Sequence, residues 1–146
     1  MRAALQSLNA FFYKPAFGIL VIRIALGVIF IFAGWNKLTA GKAALAKVGA
    51  RIDVIGLEVG SMNAPAFFFG VMAAGTELVC GALLILGLLF RPSLFLLFFT
   101  MGVATLVKIE DHGMDLTQFG YPLVMACVLA GLFFTGAGRL ALIRDE

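Results

Sequence analysis

Four long apolar stretches, separated by short polar ones, dominate the chain. They run over about Pro15–Leu38, Ala66–Phe90, Pro92–Ile109 and Phe119–Thr135. Each approaches the roughly 20 apolar residues that a helix needs to cross a bilayer core. The runs are continuous rather than alternating with period two, which excludes a transmembrane barrel. Pro92 suits a first helical turn, where a missing N–H is harmless, and Gly136 and Gly138 suit a helix exit. Arg91 and Pro92 leave so little connection that the second and third stretches are expected to form an antiparallel hairpin. The fold class expected is all-α: a polytopic membrane protein built as a bundle of four transmembrane helices with short interfacial helices.

The interfacial helices come from the flanks. Leu5, Leu8, Phe11 and Phe12 share one side against Arg2, Gln6 and Asn9, as in a helix lying on the membrane surface. The first apolar stretch is too long, and too interrupted by Arg23, for a signal peptide, so a retained helix is expected. Residues 39–65 form the one sizeable hydrophilic segment. There Ala44, Val48, Ile52 and Ile55 recur at helical spacing among Lys42, Lys47, Arg51 and Asp53, which fits a second surface helix closed by Gly60 and a turn around Asn63 and Pro65. A solvated connector is the alternative.

Composition closes off the soluble classes. The chain is 62% hydrophobic with a mean hydropathy of +1.07. A soluble domain of 146 residues buries only about two-thirds of its unfolded surface, too little to hide this much apolar area. The lipid bilayer is therefore the first partner. The basic pI of about 9.1 comes from charges that would flank anionic headgroups, so no nucleic acid is expected. Placing both termini on one side divides Lys and Arg evenly, so the positive-inside rule gives a tie. The acids Asp53, Glu58, Glu110, Asp111 and Asp115 gather on the opposite side, and cytoplasmic termini are the working expectation.

Two charges interrupt the apolar stretches, Arg23 in the first and Glu77 in the second. An ionisable group at that depth costs several kcal/mol unless it faces protein or a polar cavity. Arg23, Gly27, Phe30, Gly34 and Lys37 share one helix face, as do Gly70, Ala74, Glu77 and Gly81. Small residues allow close helix approach in lipid, so both charges are expected to point inward. Depth along the helices puts Arg23 slightly ahead as partner for Glu77, with Lys108 as rival, a three-way network of all three as a further arrangement, and a protonated, unpaired Glu77 as the third option. The pair either fixes the helix arrangement or makes Glu77 a ligand-binding or proton-exchanging group, in which case Glu77 and Arg23 are the candidate catalytic residues.

A second polar group, Lys108, Glu110, Asp111, His112 and Asp115, reads as a solvated loop or as a mouth to the interior. In the second reading Trp35, Lys37 and Tyr121 join Lys108 and His112 at the pocket entrance, with Asn36 beside them. No metal site is expected, because a single His among acids does not specify one. Cys80 and Cys127 lie in apolar stretches and read as inert packing. The phenylalanines could border a quinone-sized cavity, but their spacing does not require one.

The chain resembles the DoxX family of small four-helix membrane proteins over most of its length, and 1–146 is expected to be a single domain of that kind. The resemblance is carried by Arg23-Ile24-Ala25-Leu26-Gly27 with Phe30, Gly34 and Lys37; by Gly70, Glu77, Gly81, Leu86-Gly87 and Arg91-Pro92; and by Gly136-Ala137-Gly138-Arg139. Ala137 stands where the family often has proline, a departure that alters the final turn more than the core. The resemblance implies the cell inner membrane and a role as an accessory or quinone-linked component of a redox or oxidative-stress system. A membrane redox partner or a homo-oligomer would go with that role. A small-solute binding or transport protein and a structural subunit of a membrane complex are the alternatives. The family name alone establishes no reaction and no cofactor beyond the quinone it suggests.

Overall fold

The computed structural model describes residues 15–57, 64–138 and 141. Among the described residues five helices follow in order: α1 Pro15–Thr39, the short α2 Lys42–Ala50, α3 Ala64–Leu86, α4 Phe90–His112 and α5 Leu116–Thr135. A single 3-10 segment, Arg51–Ile55, continues from α2. There is no strand among the described residues. The four long helices are each long and apolar enough to cross a membrane. The chain is thus a multi-pass, all-helical membrane protein. The expected N-terminal surface helix lies outside the described residues.

α1 and α3 pack on the faces that their small residues predicted. A Cβ added at Gly34 would meet the carbonyl oxygen of Ala74 at 2.6 Å, and one at Gly81 would meet that of Gly27 at 2.9 Å. With no side chain between them the backbones nearly touch, which is how helices associate tightly where hydrophobic transfer offers nothing. Leu26 and Phe30 of α1 then meet Cys80 and Leu84 of α3 in one core with Leu94, Leu97 and Met101 of α4 and Ala126, Leu129 and Leu132 of α5.

The α3–α4 hairpin turns on Gly87–Leu89, not on Arg91–Pro92 as expected. Leu88 N–H donates to Leu83 O at 3.0 Å and Gly87 N–H to Leu84 O at 3.2 Å, the bond pair of a Schellman motif with Gly87 in the left-handed conformation at φ 72°. Pro92 lies in the first turn of α4, so the helix takes in both residues that were assigned to the connection. The α4–α5 connection is also shorter than expected. α4 runs on through Lys108–His112, and Asp115 caps α5 by accepting from the Thr117 N–H at 3.0 Å.

The segment after α1 departs furthest from the sequence expectation. The expected short helix is present, with Lys42, Ala43 and Lys47 exposed, but its inner face is not the stripe Ala44, Val48, Ile52 and Ile55. It buries Leu45, Ala46 and Gly49 against the start of α3, where a Cβ on Gly49 would collide with the Ala66 carbonyl and one on Gly70 with the Leu45 carbonyl. Two facing glycines draw the short helix into the bundle, one position round from the stripe that periodicity picked out. The 3-10 segment ends at Gly56, φ 85°, while the expected close at Gly60 and the turn at Asn63 lie outside the described residues. Pro65 belongs to the first turn of α3.

Candidate functional site

Neither partner expected for Glu77 is the one it has. Glu77 Oε1 accepts from Lys37 Nζ. The register of the glycine contacts explains why. Gly34 faces Ala74 and Leu78, and Gly27 faces Gly81 and Ile85, which puts Glu77 level with Ala33, one turn from Lys37. Side chains lean towards the N-terminus of their own helix. In an antiparallel pair Lys37 and Glu77 therefore lean towards each other, whereas Arg23 leans away. Its α-carbon is already about ten residues, or about 15 Å, from the level of Glu77.

Arg23 has a different task. It is 1% exposed, and its Nε, Nη2 and Nη1 donate to the carbonyls of Leu84 at 3.0 Å, Ile85 at 3.0 Å and Ala137 at 2.8 Å. The first two are among the carbonyls that the end of α3 leaves without intrahelical partners. A cation there also complements the negative end of the helix dipole. The guanidinium stands 5.6 Å from the Phe90 ring centroid. Gly87 is required twice over, by its positive φ and because a Cβ would strike Arg23 Nη2. The Gly136-Ala137-Gly138 turn, left-handed at both glycines, presents the third carbonyl. Arg23 thus ties α1 to the ends of α3 and α5, and its donor groups are directed at backbone rather than at a cavity.

Glu77, by contrast, lies beside a cavity while itself fully covered. A cavity of about 420 Å³ lies between α3 and α4 beneath the α2–3-10 segment, with Glu77 and Lys37 on its wall. Met72, Ala73 and Thr76 of α3 face Leu96, Phe99, Val103 and Val107 of α4 across it, and Lys108, Arg51 and Ile52 stand at the polar end. The walls are overwhelmingly apolar. Glu77 is fully buried, and its Oε2 has no hydrogen-bond partner among the described residues. Arg51 reaches from the 3-10 segment to Glu110 at 3.2 Å and Asp111 at 2.6 Å on α4. This exposed bridge contributes at most about 1 kcal/mol, but it ties the 3-10 segment to α4 at the polar end of the cavity.

Of the residues expected at the entrance, the structure brings Lys37 and Lys108 to the cavity and leaves Trp35, His112 and Tyr121 away from it. Trp35 is two positions from Lys37 and so on the outer side of α1, 57% exposed, and Tyr121 is 59% exposed on α5. His112 is the last residue of α4, a turn beyond Lys108. Cys80 is buried and Cys127 exposed, both as free thiols. No cluster of metal-ligating side chains occurs among the described residues. Sequence reasoning missed Arg51 and Met72, which have no signature of their own, whereas Phe99 is one of the phenylalanines it allowed as a cavity border.

The sequence profile of the DoxX family matches residues 18–109, from the first turn of α1 to near the end of α4. The chain belongs to the DoxX family. The matched part of this DoxX protein holds Arg23, Lys37, Glu77 and Lys108, and hence both internal charges and the cavity between α3 and α4. It stops before α5 and the glycine turn that follows. No curated protein and no solved structure matches the chain significantly.

Proposed function

We propose that this DoxX protein binds a membrane-dissolved amphipathic molecule of the quinone type in the α3–α4 cavity, as a component of a redox or oxidative-stress system of the inner membrane. The observation that carries the reading is Glu77, fully buried with its Oε2 unpartnered, among the residues that line an otherwise apolar cavity. A pocket of about 420 Å³ falls within the range for small-molecule sites, which are mostly apolar with a few convergent polar groups. A quinone brings its own electron chemistry. The chain's contribution is to seat the ring between the Met72 and Phe99 sides, to orient its polar edge with Glu77 and Lys37, and to exchange protons at the Glu77 carboxylate. Lys108 and Arg51 hold the polar end of the cavity.

The experiment is a titration of the full chain in lipid nanodiscs with a short-chain quinone in both its oxidised and its hydroquinone form, corrected for partition into empty discs. Saturable binding that Ala104→Phe abolishes, by filling the α4 wall, supports the reading. Partition indistinguishable from empty discs overturns it.

A further inference from the structure

We propose that the cavity selects its occupant through a hydrogen-bond donor: Glu77 Oε2 takes the hydroxyl of a neutral amphiphile, a phenol or a hydroquinone rather than the corresponding ether or quinone. This rests on the binding reading above and narrows it to one atom. A carboxylate paired with an ammonium group accepts hydrogen bonds and donates none. One oxygen of Glu77 is engaged by Lys37, and the other is buried and unpartnered among the described residues. A buried acceptor left in that state is costly, so a ligand donor placed there removes a penalty as well as adding a bond.

Charge narrows the class further. A cationic headgroup would meet Lys37 and Lys108, both on the cavity wall, and an anionic one would meet the Glu77 carboxylate. A neutral hydroxyl satisfies Oε2 without adding charge where water is scarce. The ring has an apolar route inwards, because Met72, Leu96 and Phe99, which line the cavity, are each about half exposed. Entry is therefore from the acyl-chain region. Glu77 itself is covered at rest, and the flexible, one-third exposed Lys37 side chain is the group that shifts to admit a ligand. Water is the rival donor.

The test uses a matched pair, 1-naphthol and 1-methoxynaphthalene, titrated against the full chain in nanodiscs and corrected for partition into empty discs. A hydrogen bond to a charged acceptor corresponds to about a tenfold or greater preference for the naphthol. Replacing both charges in Lys37→Met/Glu77→Met leaves no buried ion unpaired and is expected to bring the ratio to about one. Equal affinities in the wild type, or a preference that persists in the double variant, overturn the inference while leaving a general apolar site intact. If neither compound binds, the cavity reading fails with it. The wild-type ratio requires no variant, so misfolding of a mutant leaves the test in force.

Discussion

Replacing Arg23 by methionine removes a group that the structure places at the junction of three helix ends. The Leu84 carbonyl keeps its bond from Gly87, but the carbonyls of Ile85 and Ala137 lose the donors they now have. An orphaned buried acceptor costs about 1–3 kcal/mol, which applies in full to the Ala137 carbonyl and only in part to the half-buried Ile85 one. Burying the guanidinium is itself unfavourable, and losing that burden offsets part of the sum, leaving a destabilisation of about 1–3 kcal/mol. Arg23→Lys keeps the charge but offers one ammonium where a planar fork serves three carbonyls, so an intermediate loss is expected. The assay is unfolding in mixed micelles, read by labelling of Cys80, which is 4% exposed, in a Cys127→Ser background. Wild-type stability in Arg23→Met, or equality of Arg23→Lys with the wild type, would refute the argument that this arginine works through the backbone.

Two further predictions follow from the ion pair and from the cap of α5. In a double-mutant cycle on unfolding, Lys37→Met and Glu77→Gln are expected to couple by about 1 kcal/mol, a modest value because Lys37 is one-third exposed. Arg23→Met and Glu77→Gln should add to within about 0.5 kcal/mol, as separated sites do. At the α4–α5 connection, the hydrogen bonds from the Thr117 hydroxyl and N–H hold the Asp115 carboxyl below its ordinary range. A depressed native pKa means the cap's contribution is complete above about pH 3.9, the unfolded value, and fades as pH falls through the native one. An Asp115 carboxyl titration by NMR should give a midpoint below about 3.9, and Asp115→Asn should retain the cap with no pH dependence from this residue; an ordinary midpoint would count against the cap.

The membrane architecture was legible because hydrophobic length is a strong signal and because Gly27, Gly34, Gly70 and Gly81 marked the packing faces. The pairing was less so. Its elements were present in the sequence: Lys37 and Arg23 share a face of α1, and the direction in which side chains lean favours Lys37. Depth alone favoured Arg23, because the position of the hairpin turn was misjudged by a few residues and the register between α1 and α3 was not fixed. That register is set by which glycine meets which carbonyl, a tertiary fact. The inward course of α2 depended likewise on Gly49 meeting Gly70 across two segments. The cavity walls were least legible, since Met72 and Phe99 differ from any lipid-facing residue only in what lies opposite them.

The most direct test of the cavity and of the carboxylate on its wall is photolabelling of the nanodisc-embedded chain with a diazirine-bearing naphthol, mapped by mass spectrometry. Labels concentrated on Met72, Phe99 and Val103, and displaced by unlabelled naphthol, are the predicted result. Labels spread over the outer faces of α1 and α5, or indifferent to competitor, would contradict it.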